Sequence, residues 1–207
     1  MEAVNITALP KTTLLEFPVF DYGIFGEGEH TMLDLLISLQ NGSEIKSIKG
    51  LIYRNENNQI SVNEARPFLS SEELDKLPYP AFHHYYGHNK KALASRHSYY
   101  VMISSRGCPY SCAFCMQVLG RKIRRRKAEN ICEEIEYAIS TYGAHTIDFA
   151  DEIFLFNDAN TQELLELMIK KDLHKKIKWS GLIRANYVNN ELITLAKKSG
   201  CYRLEWG

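Results

Sequence analysis

The chain has 207 residues, 45% hydrophobic and 24% charged, with 25 Lys+Arg against 25 Asp+Glu and a formal net charge of +0. That is ordinary composition for a globular protein with a real core, in one large or two small domains. Neutrality argues against a dedicated nucleic-acid binder, and no run of about 18 apolar residues exists to form a transmembrane helix. Met1–Pro10 has neither the basic nor the apolar region of an export signal, and the 5 cysteines are an odd number. A reducing cytoplasm is therefore expected rather than a disulfide framework.

In chain order, Met1–Phe20 reads as a weakly structured start broken at Pro10 and Pro18. Asp21–Glu29 (DYGIFGEGE) is predicted as a short strand running into a glycine turn. The turn is acidic and lacks the Lys-Ser/Thr of a phosphate loop. Thr31–Gln40 is predicted helical, with Met32, Leu35, Leu36 and Leu39 on one face and Gly42 as its stop. Ile48–Tyr53 and Gln59–Val62 flank Asn55-Glu56-Asn57-Asn58 as a β-hairpin. Ala65–Ser98 holds three of the 6 prolines and four of the 7 histidines, with little periodicity. It reads as a linker. His83, His84, His88 and His97 lie near Phe82, Tyr85 and Tyr86, which suggests packing rather than a metal site.

Tyr99–Ile103 has strand composition and breaks at Ser104-Ser105-Arg106-Gly107. Cys108, Cys112 and Cys115 follow as C-x3-C-x2-C, on a loop shaped by Gly107 and Pro109. Soft thiolates suit an iron–sulfur cluster or zinc. A four-iron cluster usually takes four cysteines, so three would leave one iron open to another ligand. A Cys3His zinc site with an upstream histidine is the alternative, although zinc more often uses paired C-x2-C knuckles and no second one follows. Arg121–Lys127 (RKIRRRK) is basic but has no interleaved aromatics, so it reads as a solvated loop or a cofactor neighbour rather than a nucleic-acid patch.

Downstream, a helix is predicted over Glu129–Tyr142, with Ile131, Ile135, Ala138 and Ile139 on one face and no good N-cap. A strand follows at His145–Ala150, then a helix from Asn160-x-x-Glu163 to about Lys171. A strand over Ile177–Ile183, a helix capped by Asn189 and running to Ser199, and a strand from Tyr202 to Trp206 complete the pattern. Cys132 and Cys201 read as small core residues. β-α-β-α-β-α-β is the order of a parallel sheet or barrel, whose chemistry sits at the carboxyl ends of the strands. There stand the cysteine loop, Asp151-Glu152 and Arg184, with Glu205 inside the last strand as a weaker candidate.

At the cysteines the chain resembles a known family. C-x3-C-x2-C with Phe114 just before the third cysteine resembles the signature of radical S-adenosylmethionine (SAM) enzymes. Ser105-Arg106-Gly107-Cys108-Pro109-Tyr110 is similar to the branch with an N-terminal cobalamin-binding domain. DYGIFGEGEHTMLDLL and the Gly-Leu-Ile-Tyr-Arg hairpin look like the last strand and helix of that domain, and Leu74–Ala81 looks like its interdomain linker.

The resemblance implies an α/β fold: a partial (β/α) barrel of about four strands, preceded by the tail of a Rossmann-like cobalamin-binding domain. Residues 1–64 would be that tail, 65–98 the linker and 99–207 the first part of the radical SAM core. It implies a [4Fe–4S] cluster on Cys108, Cys112 and Cys115, with SAM on the open iron, Phe114 beside the adenine and Asp151 near the ammonium or ribose. Given such a site, Arg184 has the fork to clamp the SAM carboxylate; a surface ion pair is the other reading. The implied activity is reductive cleavage of SAM to start methyl transfer or ring formation on an unidentified small molecule. An external electron donor of flavodoxin or ferredoxin type would serve it. The cobalamin motif D-x-H-x-x-G does not occur, so cobalamin is expected in a longer parent rather than here. A truncated remnant that binds a cluster, or zinc, without turning SAM over is the alternative.

Overall fold

The structure, a computed structural model, describes residues 3–86 and 99–206; His88, His97 and the rest of positions 87–98 lie outside the described residues. The chain divides into two compact units. One comprises Met1–Leu69 and Gly107–Lys122, the other Ser70–Arg106 and Ile123–Gly207. The cysteine loop thus belongs to the first unit, although its stem belongs to the second.

In the first unit the expected irregular start is helical, as α1 (Ala3–Ala8) and α2 (Pro10–Glu16). Pro10 opens α2 rather than breaking it, because the first helical turn needs no N–H from that position. Strands β1 (Tyr22–Ile24), β2 (Leu51–Arg54) and β3 (Ile60–Val62) form an antiparallel sheet in that order. The hairpin turns at Asn58, whose φ is +59; the Asn55 Oδ1 accepts from the amides of Asn57 at 3.0 Å and Gln59 at 2.9 Å. Ile6 and Leu14 pack on Ile52. Helix α3 (Glu29–Asn41) ends at Gly42 and packs Leu35 against Ile48, Leu51 and Tyr53. Its buried row is Thr31 and Leu35, whereas Met32, Leu36 and Leu39 are exposed. The expected face was therefore displaced: a three-stranded sheet covers only a narrow stripe of a helix.

In the second unit the expected linker contains α4 (Ser71–Lys76), started by a full capping box between Ser70 and Glu73, and α5 (Phe82–Tyr86). Strand β4 (Tyr99–Met102) leads to β5 (Ser105–Arg106), which pairs antiparallel with β6 (Arg124–Arg125). Then come α6 (Ala128–Tyr142), β7 (Thr146–Phe149), α7 (Ala159–Lys170), β8 (Lys178–Ile183), α8 (Asn190–Lys198) and β9 (Cys201–Trp206). Strands β4-β7-β8-β9 make a parallel sheet in that order. This is the predicted alternation.

Its core is Ile131, Cys132 and Ile135 of α6, Leu164, Leu165 and Met168 of α7, and the buried strand residues beneath them. Phe149 stacks on Phe154 at 3.8 Å, and Trp179 meets Phe154 edge-on at 5.1 Å. The Trp179 indole N–H donates to the Ser199 carbonyl at 3.1 Å, so this large ring is buried with its polar atom satisfied. Asn189 accepts from the Leu192 amide at 2.8 Å, as its position before α8 implied. Helix α7, however, is capped by Asp158, which accepts from the Thr161 amide at 3.0 Å. Asn160 lies inside the first turn. Asp158 has the extended backbone an N-cap requires, with φ −146.

Candidate functional site

The cysteine loop leaves the chain where β4 ends. Its stem is the two-residue ladder of β5 and β6, in register Ser105↔Arg125 and Arg106↔Arg124. The Arg126 amide adds a bond to the Ser104 carbonyl at 2.9 Å. Inside the loop, Gly107 adopts φ +94, a backbone that L side chains rarely take. The Cys108 amide donates to Gly120 O at 3.1 Å, and the Cys115 amide to Cys112 O at 3.0 Å.

Cys108 and Cys112 are half-buried, Cys115 is exposed, and none is in a disulfide. Among the described residues, no three His, Cys, Asp or Glu side chains stand close enough to hold a metal ion. The loop thus carries three donors of the right chemistry without gathering them. Phe114 is 91% exposed, a flat apolar ring free of core packing. His83 stands near the Tyr142 hydroxyl at 3.2 Å, its ring turned to α6.

At the end of β7, Asp151 is only 2% exposed. Its Oδ1 accepts from Ser104 Oγ at 3.0 Å, from Ser105 Oγ at 2.6 Å and from the Ser105 amide; Oδ2 accepts from the Ser104 amide at 3.2 Å. All four of these bonds come from the stem, three of them to Oδ1. Burial pushes this carboxyl up to about 6, against the lowering effect of the donated hydrogen bonds. Arg184 follows β8 directly, half-buried, its carbonyl accepting from the Tyr187 amide at 3.0 Å. Glu205 pairs with Arg203 at 2.5 Å on β9.

Half of the basic run is absorbed by structure, while Arg121, Lys122 and Lys127 are exposed. Arg124 is buried, Arg125 meets Asp158 at 2.7 Å, and Arg126 meets Glu134 at 2.5 Å. Glu134, at 1% exposure, also accepts from the Tyr100 hydroxyl at 2.8 Å. Burial and the nearby Glu134 charge raise the Tyr100 phenol well beyond its usual range. The sequence reading missed Ser104, Ser105 and Glu134. The serines were legible as paired hydroxyls at a strand end. Glu134 looked like one more surface acid on a helix, and only its three-dimensional position distinguishes it.

No protein-family model matches the chain. It is 31% identical over 209 residues to an uncharacterized methyltransferase of Pyrococcus horikoshii, covering 100% of this chain and 44% of that protein. It is 27% identical over 210 residues to the anaerobic magnesium-protoporphyrin IX monomethyl ester cyclase of Cereibacter sphaeroides, covering 99% of this chain and 34% of the cyclase. The chain thus spans less than half the length of these relatives. Among solved structures, the fold matches the radical SAM methyltransferase TsrM of Kitasatospora setae, with tryptophan and a SAM analogue bound. The TM-score is 0.77 at 18% identity, over 99% of this chain and 40% of TsrM. The chain thus shares the α/β fold of a solved radical SAM methyltransferase and is similar in sequence to a methyltransferase and a cyclase, and its cysteine spacing resembles the radical SAM signature.

Proposed function

We propose that this chain carries the cluster-binding part of a radical SAM enzyme that binds a [4Fe–4S] cluster through Cys108, Cys112 and Cys115. The observation that carries this reading is three thiols, spaced C-x3-C-x2-C, on a loop that leaves the carboxyl end of the first strand of a parallel sheet. Three protein thiolates leave one iron of such a cluster for SAM, and when bound and reduced the cluster supplies the electron that cleaves SAM. The chain's own residues then bind and orient. Phe114 offers an exposed ring for stacking on the adenine. Arg184, at the end of β8, offers a fork for the SAM carboxylate.

The names of the relatives favour methyl transfer or ring closure on a small molecule as the outcome, with cobalamin supplied in the longer protein. An external flavodoxin- or ferredoxin-type donor would reduce the cluster. Among the described residues no helix is long and apolar enough to cross a membrane, and a cytoplasmic location suits oxygen-sensitive thiol chemistry.

The test is anaerobic reconstitution with iron and sulfide, then reduction and electron paramagnetic resonance with and without SAM. The expected result is a reduced-cluster signal that shifts on adding SAM. A cluster signal indifferent to SAM would reduce the chain to a non-catalytic cluster binder. Retained zinc with no cluster would overturn the reading.

A further inference from the structure

Two buried carboxylates in the second unit, Asp151 and Glu134, reach the same short piece of chain from different elements. Asp151, just past β7, accepts four hydrogen bonds from Ser104 and Ser105, the entry to the stem of the cysteine loop. Glu134, on α6, accepts from Arg126 at 2.5 Å, at the exit of the stem. The same guanidinium NH1 donates to Ile103 O at 3.1 Å, and the Arg126 amide to Ser104 O at 2.9 Å. Entry and exit are thereby tied to each other and to two different elements. We infer that Asp151 and Glu134 act as a clamp: they are positioning residues that hold together the two ends of the loop bearing Cys108, Cys112 and Cys115.

The inference rests on the cluster reading for its purpose, but its geometry stands alone. A two-residue antiparallel ladder is too short to persist unaided, since isolated two-stranded hairpins are marginal even at full length. Bringing together the ends of a loop as long as Gly107–Lys122 costs closure entropy, and fixed contacts at the stem offset part of that cost. Burying two carboxylates is itself costly, and apolar residues would pack at these places with less penalty. Their donors account for the choice. Ser104 and Ser105 each present a backbone N–H and a hydroxyl, and only an acceptor-rich group satisfies all four. A three-thiolate site whose ends are already held loses less ordering entropy when metal binds, so the clamp should appear as metal affinity.

The test uses the full chain under anaerobic conditions, with cobalt(II) as the thiolate probe, read by its thiolate charge-transfer absorption. A C108S/C112S/C115S variant serves as the blank. Asp151→Ala and Glu134→Gln should each weaken cobalt binding by about tenfold or more, the scale of a lost hydrogen bond to a charged group. Asp151→Asn, which keeps one acceptor oxygen, should fall between wild type and Asp151→Ala.

Hydrogen exchange provides the readout that a merely structural role would not move. The amides of Ser105 and Arg126 should exchange faster in the variants, while those of Trp179 and Gly181 in β8 stay protected. Unchanged cobalt affinity and unchanged stem exchange would overturn the inference. So would exchange that accelerates equally across β8, because that marks general destabilisation. If Asp151→Ala fails to fold, the S104A/S105A variant removes two of the four donors and carries the same comparison. Wild-type protein that binds neither cobalt nor iron through these cysteines would refute the cluster reading, and the exchange data would still decide the clamp.

Discussion

Replacing Gly107 by Ala would perturb the cysteine loop by one methyl group, at a place where the consequences can be worked out. A Cβ there would lie 2.3 Å from the Lys122 carbonyl oxygen and 3.2 Å from that of Gly120. Both are backbone atoms, so no side chain can swing aside. Holding an L-residue at φ +94 costs about 1–3 kcal/mol. Relieving the contact requires the two sides of the loop's neck to part by about 1 Å, which sacrifices the Cys108–Gly120 hydrogen bond, worth about 1 kcal/mol. The sum is about 2–4 kcal/mol, or roughly 30- to 1,000-fold in the population of the closed neck. The assay is iron retained per chain at limiting iron and sulfide, together with the thermal unfolding midpoint. Gly107→Ala should lose most of its iron uptake. Gly143→Ala is the control: φ is +66 and nothing lies within 4 Å of the new Cβ, so only the conformational cost remains, about 1 kcal/mol. That control should lower the midpoint and keep its iron. A Gly107→Ala protein that loads iron as wild type does would refute the reasoning.

Asp151 also gives a pH signature. Its folded value of about 6 lies above its usual 3.8, so the fold favours the protonated carboxyl. That extra stability is complete below about pH 4 and lost as pH rises to about 6, where the hydrogen bonds from Ser104 and Ser105 act on the ionised form. The loss amounts to about 3 kcal/mol. The difference in urea-unfolding free energy between wild type and Asp151→Asn should change by that amount across this window; a flat difference would contradict it. Phe154→Ala should cost about 3–5 kcal/mol, because the ring is buried between Phe149 and Trp179. Denaturant unfolding measures it, and a loss below about 1 kcal/mol would show that the stack does not hold the core. Asn189→Ala should cost about 1 kcal/mol and speed exchange at the Leu192 amide, its capping partner.

The exposed residues of α3 show where local pattern misleads. Met32, Leu36 and Leu39 recur at helical spacing and are nonetheless exposed, while Thr31 is buried and donates to the Lys49 carbonyl at 2.8 Å. Periodicity reports which residues are apolar. Which stripe is covered depends on the neighbouring sheet. The Ser70–Glu73 capping box is the opposite case: S-x-x-E stood in the sequence, obscured by the prolines around it.

The sequence by itself determined the alternation of strands and helices in the second unit, because side-chain periods of 2 and 3.6 are local properties. It also determined the cysteine signature and the strand-end positions of Asp151 and Arg184. Tertiary structure alone decided what those positions face. Asp151 accepts four hydrogen bonds from Ser104 and Ser105, Glu134 is buried against Arg126 and Tyr100, and three arginines of the basic run are drawn into the fold. The physical reason is that a charge states what it would pair with, whereas burial, which makes the pairing obligatory, arises only when distant segments meet.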